Sequence, residues 1–404
     1  MEPLVLRANA NDCIALNFHN LLSENEKEPS LPDSSGDALM PKIVPLNVDK
    51  SADPNADDIK PSARLSISIP MLPSVGFTNY HNIGIGMNRS MEPVPGGRQI
   101  NLRLYAGRLE LDPGEKVKGV PVCDDHEECS YTLNRVPYAF GTIPIKAFGD
   151  VIGHGTHGLF GTLIIEPEGA TYHDPKTGAL VPDNDRWSLG SEALIKYTDE
   201  KGKMRTFREF VIAYQDGLNL HWNPPWNSAN VSEPIGDCPI CDDSYDHGEK
   251  GLNYRTAPFW SRLRHGIDIN GNVVNHSTDA GSDLNQIKFP NNFLLESWAK
   301  IPTPIFQAKV GEEVRFRIVQ PHGRARQRAF LSFGHDYQDE IPHFGSAHAA
   351  LLSAGKSVTA VLSGTAKEGC YLYRDGPMHI FAGGVWGHFR VNPVDGATLK
   401  CAQS

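Results

Sequence analysis

The stretch Gly158-Leu-Phe-Gly-Thr-Leu-Ile-Ile-Glu-Pro167 decides the fold assignment, because a similar stretch recurs near the other end of the chain. There, Gly384-Val-Trp-Gly387 leads into an apolar run that ends at Pro393. Two more segments repeat in the same order: a turn leading into an alternating run (residues 8–18 and 308–318) and a glycine turn before a run (residues 97–100 and 355–358). Self-similarity in a fixed order is the signature of a repeated structural unit. The sequence therefore predicts two copies of one unit.

Both copies contain runs in which apolar and polar residues strictly alternate, which is the pattern of a half-buried β-strand. Leu102 and Leu104 belong to such a run in the first copy, and Phe316 and Ile318 belong to one in the second. Helical periodicity is scarce, and Gly and Pro turns separate the runs. The pattern predicts a mostly β protein of two antiparallel sandwiches. Alternation places these four side chains on the inward faces.

The length of 404 residues is enough for two domains that each bury their own core. We expect the first domain over residues 1–170 and the second over residues 205–394. Residues 23–60 are rich in Pro, Asp, Ser and Asn, which indicates a long exposed loop insertion in the first domain. Residues 222–295 indicate an irregular insertion in the second domain.

The charge balance limits the classes of partner. Lys and Arg number 38 against 48 Asp and Glu, so the formal net charge is −10. This balance lacks the basic footprint that binding to a phosphate backbone needs, so we expect no nucleic-acid partner. No apolar run reaches the roughly 18 residues of a membrane span, and the N-terminus lacks the pattern of a signal peptide. We therefore expect no membrane span in this sequence.

Seven cysteines stand at positions 13, 123, 129, 238, 241, 370 and 401. An odd number leaves at least one thiol unpaired within a monomer. The two close pairs, Cys123 with Cys129 and Cys238 with Cys241, are either local disulfides or thiolate ligands of a metal. Neither pair has the second well-spaced pair that a zinc ribbon needs, which favours disulfides or free thiols.

Together the repeated segments resemble the multicopper oxidases, whose cupredoxin domains close with a strand like that of residues 158–167. Gly384-Val-Trp-Gly387 is similar to the final Gly-Met-Trp-Gly of that family. The resemblance implies two cupredoxin-like Greek-key β-sandwiches, copper as cofactor, oxidoreductase activity toward O₂ and an extracytoplasmic location. In the family, earlier strands usually precede the strand formed here by residues 2–7. The resemblance therefore implies that the first sandwich is incomplete, or is completed by a further cupredoxin domain or subunit.

Most positions that match the family's copper ligands carry other residues. Copper needs imidazole and thiolate ligands because it accepts few geometries. In the first half, the resemblance matches the first His-x-His-Gly motif to residues 81–84 and the second His-x-His to residues 148–150. Also in the first half, Gly149 stands at the position of the copper-binding cysteine and Leu159 at that of the axial methionine. In the second half, the positions that match copper ligands carry Arg328, Leu331, Phe333, Arg374, Asp375, Gly376, Ile380 and Val385. We interpret the apolar replacements as packing of a vacated pocket.

His81, His154 and His157 are the candidate metal ligands that remain. Two imidazoles on the turn His154-Gly-Thr-His157, with His81 or Asp150 as a third donor, would hold one copper or zinc ion weakly. The alternative, which we favour, is that the two turn histidines only make backbone hydrogen bonds.

The expected function follows from the resemblance and the replacements together. The family oxidises a phenol, a metal ion or a small reductant with O₂, and this chain lacks the ligands to do so alone. We expect a copper-depleted member that is not catalytic by itself. One alternative is the scaffold portion of a true oxidase whose copper comes from another domain or subunit. Another is a copper-free binding module that uses the guanidinium cluster Gly323-Arg-Ala-Arg-Gln-Arg328 to hold an anion or acidic partner.

Overall fold

The computed structural model describes the larger part of the chain. The described residues are 2–22, 63–73, 94–111, 122–123, 129–130, 133–150, 153–156, 158–216, 218, 221–222, 233–234, 250–259, 262, 265–267, 273–275, 294–296, 301–323, 327–339, 346–347, 349–365, 367–399 and 401. The predicted loop insertion at residues 23–60 lies outside them, as does most of the predicted irregular insertion at residues 222–295. Those two interpretations stay predictions.

Strands dominate the described residues. Up to residue 198 they are β1 Leu4–Asn9, β2 Cys13–His19, β3 Gln99–Tyr105, β4 Gly107–Leu111, β5 Val122–Cys123, β6 Cys129–Ser130, β7 Leu133–Pro137, β8 Gly141–Lys146, β9 Phe160–Glu166, β10 Thr171–His173 and β11 Glu192–Thr198. Beyond it they are β12 Met204–Gln215, β13 His221–Trp222, β14 Glu233–Pro234, β15 Gly251–Leu252, β16 His265–Ile267, β17 Val273–Asn275, β18 Ile305–Lys309, β19 Glu313–Val319, β20 Arg328–Ser332, β21 Tyr337–Asp339, β22 Ser346–Ala347, β23 Ala349–Leu352, β24 Ser357–Leu362, β25 Gly369–Asp375 and β26 Trp386–Asn392. The helices are short: α1 Gly153–Thr156, α2 Met378–Ala382 and a 3₁₀ helix, Asp183–Leu189.

The first half packs a small sheet, in the order β1-β9-β8, against the two-stranded antiparallel sheet of β2 and β3. Its apolar core is one cluster that draws on these strands and on residues 67–72. Leu102 and Leu104 are buried in it, as their alternation predicts. The core contains Ala8, Ala10, Ile67, Ile69, Leu72, Leu102, Leu104, Ala106, Ile143, Ile145, Leu163 and Ile165.

The second half is a sandwich of two larger sheets. One has the order β10-β11-β12-β19-β24-β21-β22, with β15 on β12, and the other has the order β18-β26-β25-β20-β23. Residues from both sheets form one buried cluster, so the sheets lie face to face. Phe316 and Ile318 are fully buried in this cluster, as predicted. The prediction of a mostly β, sandwich-type fold is confirmed.

The internal repeat is visible in the strand register. In the first half β2 pairs with β3 so that Ile14 faces Leu104. The repeat carries these two residues onto Val314 and Leu362, which face each other in the pairing of β19 with β24. The pairing of β1 with β9 likewise has its equivalent in that of β18 with β26. Two stretches of chain with different sequences thus form the same ladders.

The sheets are not purely antiparallel, which corrects one part of the predicted fold class. β1 with β9, β12 with β19 and β18 with β26 are parallel pairs. In each repeat the first strand and the last run side by side in the same direction. Alternation reports which face a strand buries but not the direction of its neighbour, so the sequence pattern could not distinguish the two arrangements.

Residues 171–198 join the second half's sheet, although neither predicted domain included them. β10 pairs with β11, and β11 pairs along its whole length with β12. The sheet therefore begins before residue 205. The boundaries at residues 170 and 205 stay predictions.

Four buried charges join the two halves, and we call them the interface charge network: Arg7, Glu166, Glu209 and Arg317. The Arg7 Nε donates to Glu209 Oε1 at 2.8 Å, and the Arg317 Nε donates to Glu209 Oε2 at 3.2 Å. Another Arg317 nitrogen, Nη2, donates to Glu166 Oε1 at 2.5 Å. All four side chains are fully buried. Arg7 and Glu166 come from β1 and β9, and Glu209 and Arg317 from β12 and β19.

One disulfide, between Cys370 and Cys401, closes a loop across 31 positions. Cys370 lies at the start of β25, and Cys401 is buried beyond β26. Cys13 is a free, exposed cysteine. The close pair Cys123 and Cys129 stand opposite each other on β5 and β6. The sequence did not point to the long-range pair, because residues far apart in the chain share no local signal.

None of the helices that the structure describes is both long enough and apolar enough to cross a bilayer.

The repeated glycine motif is required by sterics. Gly384 has a φ of 108°, a region that L side chains rarely adopt. A Cβ at this position would lie 2.6 Å from the backbone nitrogen of Ala257 and would also overlap the side chain of Thr256. Gly158 occupies the equivalent place in the first half, with a φ of 82°.

Replacing Gly384 with Ala should lower the free energy of unfolding by about 2–5 kcal/mol, since both backbone strain and overlap contribute. Urea titration of the two proteins measures the change. Gly169→Ala is the matched control: its φ is 72°, and nothing lies within 4 Å of its added Cβ. Equal losses in the two variants would show that overlap at Gly384 contributes nothing.

Candidate functional site

The region that matches the family's second-half copper ligands lies where β20 begins and β25 ends. Arg328 is the first residue of β20, and Asp375 is the last residue of β25. The Arg328 Nη1 donates to Asp375 Oδ2 at 3.0 Å, and both side chains are fully buried. The other oxygen, Asp375 Oδ1, accepts from the backbone nitrogens of Ala329 at 3.0 Å and Gly376 at 2.7 Å. The pair is thus held by both strands.

A second carboxylate, that of Asp216, completes this cluster. Asp216 follows β12, and its Oδ1 pairs with Nη2 of Arg328. One guanidinium therefore lies between two carboxylates, which we call the Arg328 cluster: Asp216, Arg328 and Asp375. Burial raises the pKa of Asp375, and the charge of Arg328 opposes this rise. Burial also lowers the pKa of Arg328, against the opposing effect of Asp375.

The apolar replacements at the other matched positions differ in burial, with Leu331 half-buried between the two extremes. Ile380 and Val385 are fully buried in the core of the second half. Phe333 and Leu159, in contrast, are 42% and 39% exposed. Packing of a vacated pocket therefore describes the first two positions and does not describe the last two.

Copper does not fit the residues at the Arg328 cluster. The ligands that copper prefers are imidazoles and thiolates, and the cluster offers neither. Its central group is a guanidinium, which keeps its positive charge at any physiological pH and has no lone pair to donate to a metal. Among the described residues, no group of three or more His, Cys, Asp and Glu side chains is placed to hold a metal ion.

His154 is the one candidate histidine ligand in the described part of the chain; His81 and His157 lie outside it. The ring is 1% exposed, and its Nδ1 accepts a hydrogen bond from the backbone nitrogen of Asp150 at 3.2 Å. This contact is of the kind expected if the turn histidines only make hydrogen bonds to the backbone. The metal site at His81, His154 and His157 stays a prediction.

The guanidinium cluster of residues 323–328 is only partly described. Arg328 is committed to Asp216 and Asp375, so it neutralises buried carboxylates and is not available to an external anion. Arg324 and Arg326 lie outside the described residues. The binding-module interpretation therefore depends on those two residues alone.

Sequence reasoning missed two polar residues near this region, Gln320 and Lys146. Gln320 follows the fully buried end of β19, and its side chain is itself fully buried. Lys146 ends β8, where the other residues are buried. A lone amide or amine at the end of an otherwise buried strand is the signal that could have identified them.

Comparisons with known proteins give structural similarity alone. No known sequence family and no curated protein matches the chain. Among solved structures, a copper nitrite reductase from Nitrosomonas europaea has a TM-score of 0.44 at 12% identity, over 97% of this chain and 84% of that one. A blue copper oxidase from Nitrosomonas europaea has a TM-score of 0.40 at 12% identity, over 96% and 77%. A multicopper oxidase has a TM-score of 0.33 at 12% identity, over 66% and 62%. Similarity at this level concerns the fold and does not show what the chain binds.

Proposed function

We propose that the chain is a copper-depleted cupredoxin-like protein of the multicopper-oxidase type, with no oxidase activity of its own. The observation that carries the proposal is the Arg328 cluster at the positions that match the second-half copper ligands. A buried guanidinium lies between two carboxylates there, in the place that a metal cation would need.

Electrostatics supports this proposal. Two unit charges 4 Å apart interact by about 4 kcal/mol at an effective dielectric constant of 20. A copper ion placed beside Arg328 would meet a repulsion of at least that size, while Asp216 and Asp375 would have to leave the guanidinium to bind the metal. Removing partners from a buried charge costs about 3–5 kcal/mol. Both effects oppose copper at this place.

Titration of the purified chain with Cu(II) should therefore produce no intense thiolate-to-copper absorption band and no oxygen uptake with a phenol or ascorbate. Absorption spectroscopy, metal analysis and an oxygen electrode measure these quantities. Cys13→Ser is the necessary control, because Cys13 is an exposed free thiol that can bind copper adventitiously. A strong blue band with oxygen consumption by this control variant would overturn the proposal.

The same titration examines the histidine site of the first half. If His81, His154 and His157 hold one ion, binding should be weak and should disappear in His154→Ala. A single ion of this kind would leave the proposal intact, because it gives neither a thiolate band nor oxygen reduction.

The alternative, a scaffold completed by a further cupredoxin domain or subunit, has support from one comparison between the halves. β19 lies between β24 and β12. Its repeat equivalent, β2, pairs with β3 alone in the described part of the chain. The apolar side chains of β2, Ile14, Leu16 and Phe18, are only half-buried, whereas every residue of β19 after the first is buried. An additional strand on β2 would complete this match, and a blue band that appears only in an assembly with a partner would favour this alternative.

A further inference from the structure

A small pocket lies between the two halves, close to the Arg328 cluster. Its volume is about 180 Å³. Lys146, Phe148, Leu159 and Phe160 line it from the first half, and the second half contributes His322 and Gly323 among others. At about 30 Å³ for each water molecule in the liquid, this is room for roughly six waters. The pocket therefore suits a small organic molecule and not one of drug size.

Lys146 supplies the pocket's uncompensated charge. Its amine extends from the end of β8 toward the turn before β24, where a Cβ at Gly355 would lie 2.6 Å from Nζ. No carboxylate of the described residues pairs with this amine. Burial lowers the pKa of Lys146, and no nearby charge contributes to the shift. A half-buried ammonium of this kind gains from a negatively charged neighbour.

Gln320 supplies a polar group that lacks a partner. The side chain is fully buried, and within the described structure neither its Nε2 nor its Oε1 has a hydrogen-bond partner. Leaving a buried amide unsatisfied costs about 1–3 kcal/mol, so such groups usually meet a ligand or water. A Cβ at Gly323 would lie 2.9 Å from Nε2. Gly323, which has a φ of 149°, lines the pocket, so the amide lies directly behind this part of the pocket wall.

The polar groups behind the pocket are only partly paired with one another. The Gln215 Nε2 lies 3.2 Å from His322 Nδ1 and donates to the carbonyl oxygen of Gly155 at 3.2 Å. Asp216, whose Oδ2 would lie 3.6 Å from a Cβ at Gly323, pairs with Arg328. Within the described structure Gln215 Oε1 and Asp216 Oδ2 have no hydrogen-bond partner, so the side of the pocket at Gly323 is unfavourable for an anion. The positive charge that a ligand can meet in the pocket is that of Lys146, on the opposite half.

We propose that this pocket binds a small organic carboxylate, with its anionic end toward Lys146 and its apolar body between Phe148, Leu159 and Phe160. The ammonium is a donor suited to a carboxylate. The remaining walls are mostly apolar, which favours a ligand with a hydrocarbon body over a fully hydrated inorganic anion. This inference does not depend on whether the chain binds copper.

Calorimetric titration of the full chain with benzoate tests the proposal, with benzyl alcohol as the neutral match and inorganic phosphate as the anion without an apolar body. Benzoate should bind at least tenfold more tightly than either. Lys146→Met should weaken benzoate binding at least tenfold, because it removes the charge and keeps the length of the side chain. Lys196→Met, on β11 away from the pocket, is the matched control and should bind as the unchanged chain does.

A second variant tests the pocket without changing Lys146, in case Lys146→Met disturbs folding. Ala354 is exposed and lines the pocket, so Ala354→Trp should block entry without disturbing a core. Its circular dichroism should match that of the unchanged chain, and it should bind no benzoate. Absence of benzoate binding at millimolar concentration overturns the proposal. So does phosphate or benzyl alcohol binding as tightly as benzoate, or unaltered benzoate affinity in both Lys146→Met and Ala354→Trp.

Discussion

Replacing Phe316 with Asp should abolish cooperative folding of the second half. The Phe316 ring is fully buried at the centre of the sandwich. Ring centroids lie 5.3–6.5 Å away for five aromatic neighbours: Phe210, Phe306, Phe330, Tyr373 and Phe389. Removing a buried Phe costs about 3–5 kcal/mol, and a carboxylate without a partner in that place costs several more. The sum is comparable to the whole stability of a domain, about 5–15 kcal/mol.

Near-ultraviolet circular dichroism and hydrogen exchange measure this outcome, since both report fixed packing in the aromatic core. Phe333→Asp is the matched control, because Phe333 is 42% exposed and the new carboxylate would face Arg374, whose guanidinium carbon lies 5.5 Å from the ring centroid. That variant should fold normally. Persistence of protected amides in β19 and β24 of Phe316→Asp would contradict the assignment of this core.

Replacing Arg317 with Met should destabilise the contact between the halves by about 3–5 kcal/mol, because it leaves two buried carboxylates with one guanidinium. Glu166 and Glu209 both lose a partner, and Arg7 remains as the guanidinium that pairs with Glu209. Urea titration with probes in each half measures the loss. Arg205→Gln is the control, because the side chain of Arg205 is 45% exposed and its pair with Asp199 lies at the surface.

The same network predicts a sensitivity to acid. Burial alone would raise the pKa of Glu209, but the charges of Arg7 and Arg317, together with hydrogen bonds to Glu166 and Arg7, lower it from 4.5 to about 2. A carboxyl whose pKa is lower in the folded state contributes stability above its unfolded pKa and loses that contribution as the pH falls through the folded value. About 3 kcal/mol should therefore be lost between pH 4.5 and about 2. Urea titrations across this range on the unchanged chain and on Glu209→Gln should differ in slope; parallel curves would contradict the prediction.

Much of the fold could be predicted from the sequence because its signals are local and repeated. The alternation around Leu102 and Phe316 states which side chains face inward, and the repeat places each strand relative to its equivalent. The register of Val314 with Leu362 follows from the same repeat. The sequence did not indicate the direction of neighbouring strands or that residues 171–198 belong to the sheet of the second half. Both depend on which distant strand lies alongside.

The sequence indicated which positions make up the candidate site, but not which of their side chains pair with one another. Matching the ligand motifs located Arg328 and Asp375 separately, yet nothing local shows that they pair, since 47 positions separate them. Asp216 comes from a third segment and joins them only in the folded chain. Lys146 and His322 belong to different halves, so the pocket they line exists only once the halves meet. Ion pairs and pockets depend on tertiary contacts between residues far apart in the chain, whereas alternation is a local property of the sequence.

The disulfide between Cys370 and Cys401 also determines how the molecule would carry a mechanical load. Tension applied to the chain beyond residue 401 passes through the sulfur bridge to Cys370, at the start of β25. The intervening segment, with most of β25, the helix α2 and the whole of β26, lies outside this force path. Its ladder hydrogen bonds, including those between β18 and β26, would bear none of the load while the bridge is intact. Reduction would move the same load directly onto β26 and turn the closing strand of the second sandwich into its first point of mechanical failure.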